Sequence, residues 1–170
     1  MIRSAAALGV GLIVVGVLLL IKFWGVRLTL QSSDSMPKGL YEVTVASLKE
    51  KQLTRGETVV FLPPVKILPF LQTRHWVSSH DWMMKKIMGI PGDKVCLKNH
   101  LVWINKYPLG PILDEDHQHR VLPHLKFCRT LSQDEYFVMS TYIERSFDSR
   151  YFGPISGDSI IGKALPLWIS

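Results

Sequence analysis

The apolar positions of this chain fall into two regimes. From Ala5 to Ile21 they form one charge-free run, whereas from Val26 onward they break into short β-branched and aromatic stretches divided by Gly, Pro and Asn, with no sustained helical period. The first regime predicts a membrane helix and the second a mainly β domain. As a helix the run would be about 25 Å long, a little short of the roughly 30 Å hydrocarbon core. Phe23 and Trp24 can extend it, with Lys22 snorkelling towards the headgroups. A cleaved signal peptide is the alternative, but such peptides have a shorter apolar core and end in small residues, where this chain has Lys22-Phe23-Trp24. The expected division is an anchor over residues 1–26 and a β-rich domain over residues 27–170.

Strands are expected at Gly39 to Val45, Thr58 to Leu62, Trp82 to Gly89, Lys94 to Leu97, Leu101 to Asn105, Tyr136 to Ser140 and Ser159 to Pro166. Lys98-Asn99-His100 reads as a hairpin turn, because Asn tolerates the left-handed conformation. Ser47 to Leu53 reads as a short helix or turn. Leu62 to Leu71 is apolar but carries three prolines, which argues against an ordinary central strand or helix. It is expected either to pack as a loop over the core or to form an exposed apolar surface resting on a bilayer. Pro108 to Pro123 reads as a surface excursion. Its Asp114-Glu115-Asp116 and His117-Gln118-His119 could ligate a metal, but without a third fixed ligand they read as a solvated loop.

The formal charge of +6 and pI near 9.4 would suit nucleic acid or an anionic membrane surface. The basic residues form no run longer than two, which disfavours nucleic acid and leaves the membrane surface. Charge does not orient the anchor, since the amino terminus and Arg3 face Lys22 and Arg27 across it. Cys96 and Cys128 are too far apart for a redox C-x-x-C or a metal knuckle, so a structural disulfide and two free thiols both remain open.

Candidate chemistry begins at Ser33-Asp34-Ser35-Met36-Pro37, shortly after the apolar run, and continues at the lysine pair that opens Lys85-Lys86-Ile87-Met88-Gly89-Ile90-Pro91-Gly92-Asp93. A hydroxyl becomes a useful nucleophile when a base takes its proton, and a buried, neutral lysine amine can do so. In a strand Lys85 and Lys86 point to opposite faces, so one can enter the core among Trp82, Met83, Met84, Ile87 and Met88, which depresses its pKa. Ser33 can place a second hydroxyl beside the reacting carbonyl and, with the Ser35 amide, form an oxyanion hole. If Ser146 to Arg150 is extended, Ser146, Asp148 and Arg150 share a side, with Asp148 and Arg150 pairing and Ser146 orienting the lysine. No Gly-x-Ser-x-Gly elbow is present, and none of the six histidines has a motif of its own.

Four segments in order, Ser33 to Pro37, Arg55 to Phe61, Lys85 to Val95 and Ser146 to Arg150, resemble the type I signal peptidases, membrane-bound Ser/Lys endopeptidases. The short single-anchor form, with Met36 to Tyr41 and Ser146 to Pro154, is similar to their TraF-like branch of conjugative transfer systems, which processes pilin precursors and in some cases cyclises them. The chain departs from the family at Glu57, where Asp is usual, and around Ser140-Thr141-Tyr142, where Gly-Asp-Asn is expected. The resemblance implies a signal-peptidase-like β-sheet catalytic domain on the outer, periplasmic face of the cytoplasmic membrane, held by one N-terminal transmembrane helix. It makes Ser35 the nucleophile, Lys85 the general base, Ser33 the oxyanion-hole side chain and Ser146 the orienter of Lys85, with Asp148 and Arg150 as structural support.

An extended substrate would lie along the strands carrying Ser33 and Met83, touching Asp34, Met36, Met83 and Met84. The resemblance also implies small residues, often Ala, at the first and third positions before the cut. No metal or organic cofactor is required. The expected partners are an exported precursor such as a pilin, the lipid bilayer and other membrane proteins of a conjugation system, with no nucleic acid. Two rivals remain: a membrane-tethered β scaffold without enzymatic activity, and a LexA-like Ser/Lys autoprotease. The second would need a DNA-binding domain where this chain has its apolar run.

Overall fold

The computed structural model describes residues 26–45, 53–77 and 81–170. The expected anchor, and the helix or turn expected at Ser47 to Leu53, lie almost wholly outside these residues. Among the described residues no helix is long and apolar enough to cross a membrane.

The mainly β expectation is met. The strands are β1 (Val26–Gln31), β2 (Gly39–Thr44), β3 (Thr58–Phe61), β4 (Met83–Gly89), β5 (Lys94–Lys98), β6 (Leu101–Ile104), β7 (Tyr107–Pro111), β8 (Phe127–Thr130), β9 (Glu135–Met139), β10 (Ile155–Ser156) and β11 (Ile160–Ile169). They form a seven-stranded sheet, ordered β1-β2-β11-β3-β4-β9-β10, and a four-stranded sheet, ordered β7-β6-β5-β8. The strands β3 and β4 are central in the larger sheet and covered on both faces. Val59, Phe61 and Ile87 enter the main core with Phe137, Val138, Tyr151 and Phe152, while Val60 and Met84 enter a smaller cluster with Met36, Tyr41, Val43 and Ala164. Because Val59 pairs with Lys85, the lysine is delivered to the main-core face.

In the smaller sheet the β5–β6 turn carries Asn99 and His100 at φ 52° and 55°, as the hairpin reading requires. Four strands were not foreseen: β1, β7, β8 and β10. All four are edge strands, and in β7, β8 and β10 the alternating pattern is weak, whereas β1 alternates strictly but follows closely on the apolar run. Pro108 and Pro111 are tolerated in β7 because an edge strand can spare N–H groups.

The proline-rich stretch is corrected. Pro64 precedes a 3-10 turn, Val65–Ile67, and Pro69 sits in the first turn of a helix, Leu68–Thr73, where the missing N–H breaks no helical bond. Leu71 is buried while Val65 and Leu62 are exposed, so the stretch both packs on the core and presents apolar surface. The excursion from Pro108 is corrected in part: Asp116 is buried at 5 % exposure, bound by Gln118 N, Arg120 N and Arg120 Nε. Cys96 and Cys128, opposite each other on β5 and β8, form a disulfide.

The segment with Ser146, Asp148 and Arg150 is not an extended strand. Asp148 caps the one-turn helix Ser149–Phe152, its side chain accepting from Arg150 N. Arg150 and Asp148, both fully buried, pair through Nε–Oδ1 at 2.8 Å and Nη2–Oδ2 at 2.9 Å. Arg150 also donates to Ser146 O and Pro111 O, and Asp148 accepts from Ser140 N. Two further ion pairs brace the frame: Arg55 grips Asp93 in the turn after β4, and Glu57 pairs with Lys163 of β11.

Removing one member of a buried, fully bonded pair strands the other charge, a loss of about 3–5 kcal/mol. Asp148→Ala is therefore expected to lower unfolding free energy by that amount in urea titration. A loss below about 1 kcal/mol, the range of an exposed pair, would show that the pair does not hold the frame.

Candidate active site

Ser35 lies in the connection 32–38 between β1 and β2. Its backbone is pinned from two sides: Tyr41 OH donates to Pro37 O at 2.9 Å, and Ser140 Oγ donates to Ser35 O at 2.6 Å. Where this connection re-enters the sheet, Gly39 has φ 149° and a Cβ there would meet Trp168 O at 2.0 Å. Only glycine permits that approach.

Lys85 projects from the centre of β4 and is 3 % exposed, whereas Lys86 is half-buried. Its Nζ donates to Ser35 Oγ at 2.7 Å. Burial drives the Lys85 pKa down to about 8, with Asp148 raising it and Arg150 lowering it. A substantial fraction of the amine is thus neutral in mild alkali, and the 2.7 Å contact that holds the hydroxyl is also a path for its proton.

Ser33 Oγ is 3.0 Å from Ser35 Oγ, and Gln31 Nε2 donates to both Ser33 Oγ (2.7 Å) and Ser33 O (3.1 Å). Ser33, Asp34, Ser35, Met83, Met84, Lys85 and Ser146 all line one cleft of about 400 Å³. Met36 does not line it; it packs in the smaller apolar cluster with 3 % exposure. Asp34 is exposed and pairs with Lys38 at 2.7 Å. Ser146 is buried, but its Oγ has no hydrogen-bond partner among the described residues. Expected as the orienter of Lys85, it shares the cleft with the amine without bonding it. Asp148 and Arg150 stand behind the wall, outside the cleft. Among the described residues no group of three His, Cys, Asp or Glu is placed to hold a metal.

Two positioning residues escaped the sequence reading. Ser140 Oγ accepts from Tyr142 N and Ile143 N while donating to Ser35 O, so one hydroxyl ties the end of β9 to the connection carrying Ser35. Its only signal was the departure from Gly-Asp-Asn. Gln31 had none. More of the cleft wall comes from Leu71 and Trp76, which belong to one stretch, and from Phe147, next to Ser146 and far from that stretch in sequence.

The arrangement of a polarised hydroxyl, a buried amine and a neighbouring hydroxyl in an open cleft is suited to acyl transfer. The family described as signal peptidase, peptidase S26, matches residues 1–168. A plasmid transfer protein TraF of Escherichia coli is 29% identical over 146 residues, 80% of each chain. A second Escherichia coli protein of that name is 27% identical over 173 residues, 94% of each chain. Signal peptidase IB of Staphylococcus aureus (strain COL) is 27% identical over 135 residues, covering 71% of this chain and 63% of that one.

The depressed pKa has a stability consequence with a defined sign. The folded chain holds Lys85 near pKa 8 against 10.5 when unfolded, so below pH 8 the buried ammonium opposes folding in full. The opposition fades as pH rises from 8 to 10.5. Lys85→Met is expected to be more stable than the parent at pH 7 by about 2–4 kcal/mol, with the gap closing near pH 11. Equal urea midpoints at both pH values would place the folded-state pKa near its ordinary value.

Proposed function

Starting from a chain that belongs to the signal peptidase family S26, we propose a membrane-tethered serine endopeptidase in which Ser35 is the nucleophile and neutral Lys85 the general base. The observation that carries this reading is the 2.7 Å contact between the buried Lys85 amine and the Ser35 hydroxyl on the wall of an open cleft. A scaffold without enzymatic activity gives no reason to bury an amine against a hydroxyl at such a place.

In the proposed cycle Lys85 takes the Ser35 proton as Oγ attacks the scissile carbonyl, and Ser33 with the Ser35 amide stabilises the oxyanion. Lys85 then returns the proton to the leaving amine. Water releases the acyl group as a carboxylate; an incoming amine would instead form a new peptide bond. Ser146, which lines the same cleft and whose hydroxyl has no partner among the described residues, is given the role of bonding the amine once Ser35 has been acylated.

The substrate is read as an exported precursor, bound extended. Likeness to two plasmid transfer proteins TraF supports a conjugation system as the setting, and within that reading a pilin is the proposed precursor. The apolar run Ala5 to Ile21 supports a single pass through the cytoplasmic membrane. The Cys96–Cys128 disulfide supports a catalytic domain on the oxidising, outer face.

Full-length chain in proteoliposomes, given a candidate pilin precursor, is expected to yield a mature product by mass spectrometry that Ser35→Ala and Lys85→Met both abolish. A product lighter by one water than the linear peptide would mark ring closure. The rate should climb with pH to a plateau above about 8, because only the neutral amine serves as base. A rate flat down to about pH 5, or near-normal cleavage by Lys85→Met, would eliminate Lys85 from that role. Ser140→Ala should lower kcat about tenfold with KM little changed, since it frees the carbonyl of the nucleophile without touching substrate. An unchanged kcat would show that Ser140 does not position Ser35.

A further inference from the structure

The cleft that holds Ser35 and Lys85 also carries polar side chains that acyl transfer does not use. Arg145, His75 and His117 lie on its wall, all three exposed. Arg145 directly precedes Ser146, so a group reaching it is contiguous with the reacting centre. Among the described residues Arg145 makes no ion pair.

The wall offers two carboxylates, and both are engaged elsewhere. Asp34 is held by Lys38 at 2.7 Å. Asp116 is buried, with Oδ1 accepting from Gln118 N and Arg120 N, and Oδ2 lying 2.7 Å from Arg120 Nε and 3.7 Å from Arg74 Nε. Two arginines thus share one carboxylate, and Arg74 Nε and Arg120 Nη2 remain buried without a hydrogen-bond acceptor. Arg145 is thus a cation on this wall that neither of the wall's carboxylates neutralises.

We propose that this part of the cleft receives a carboxylate side chain of the substrate, an Asp or Glu within a few residues of the scissile bond. Arg145 serves as its charge partner, and the His75 and His117 rings serve as N–H donors. The inference rests on the peptidase reading of the cleft and adds to it a specificity-determining subsite. An arginine fork suits a carboxylate better than any neutral side chain. A site that supplies charged donors discriminates against the uncharged isostere. Because Arg145 is exposed, the preference is expected to be moderate. The source is the substrate rather than a lipid headgroup, because these side chains line the same cavity as the nucleophile.

The test uses the detergent-solubilised full chain and amide-capped peptides with Ala at the first and third positions before the cut. One Asp is moved through the positions on either side, each peptide being compared with its Asn counterpart. At one position Asp should raise kcat/KM roughly five- to tenfold, tenfold being about 1.4 kcal/mol, with the change carried by KM. Arg145→Gln should erase the preference and Arg145→Lys should restore much of it. The same order should appear in peptide binding to the Ser35→Ala chain, which needs no turnover. If Asp nowhere exceeds Asn by more than about twofold in cleavage or binding, the subsite is overturned, while cleavage of the neutral peptides leaves the Ser35–Lys85 reading standing. An Arg145-dependent affinity for phosphatidylglycerol vesicles without any peptide preference overturns it equally. If no peptide is cut yet Ser35→Ala binds acidic peptides preferentially, the subsite stands and the peptidase reading falls.

Discussion

The architecture depends on a guanidinium and a carboxylate that meet out of reach of water. Arg150 directs its donors to Asp148, to Ser146 O and to Pro111 O, and Asp148 in turn accepts from Ser140 N. One pair therefore gathers the end of β7, the residue after β9 and the loop entering the one-turn helix. From Ser140 the chain of bonds continues to the Ser35 carbonyl, so the nucleophile stands two hydrogen bonds from the ion pair. The pair acts on Lys85 as well. Its two charges push the amine in opposite directions, which leaves burial as the dominant influence. A lone carboxylate at Asp148 would hold the amine protonated and idle; the arginine offsets it.

The cleft walls come from segments that share no sequence neighbourhood. Phe147 stacks on Phe70 and on Tyr151, each with centroids 5.2 Å apart, and lies 5.2 Å from Trp76. Arg74 covers the Phe70 ring at 3.6 Å and donates through Nη2 to Val121 O at 2.7 Å. One arginine thus sews the short helix Leu68–Thr73 to the excursion that carries Asp116 and His117. This explains how an apolar, proline-interrupted stretch becomes a folded wall: Phe70 meets Trp76 locally and completes its packing on Phe147 through long-range closure.

The same distinction decides how much could be read from residues alone. The central strands were legible because β3 and β4 are covered on both faces and are rich in apolar residues, interrupted in β4 only by the lysine pair. Ser35 and Lys85 were legible because their residue types fall within segments of a recognisable order, and the structure brings the two side chains into contact. The edge strands β7 and β8 were not, since they are short and carry little periodicity; β1 does alternate, but it follows closely on the apolar run. Gln31 and Ser140 were invisible for another reason: a single hydroxyl or amide acquires meaning only when the fold places it opposite a particular carbonyl or oxygen. Met36 shows the converse. Its position beside Ser35 suggested a substrate contact, yet the turn aims it into the apolar cluster on the other face of the sheet. The condition that Ser146 to Arg150 be extended is not met because Asp148 serves as a helix cap, a role that strand alternation does not reveal.

The disulfide between β5 and β8 closes a covalent ring of chain from Cys96 to Cys128, within which the whole excursion lies, including its exposed tip at His117, Gln118 and His119. Closing a ring of this size limits the unfolded ensemble, a contribution of about 3–4 kcal/mol in the chain-entropy picture. It also changes what damage does. A protease that nicks the tip severs the backbone without parting the molecule: both fragments stay linked through the sulfur bridge, and they come apart only when the chain is unfolded in the presence of a thiol.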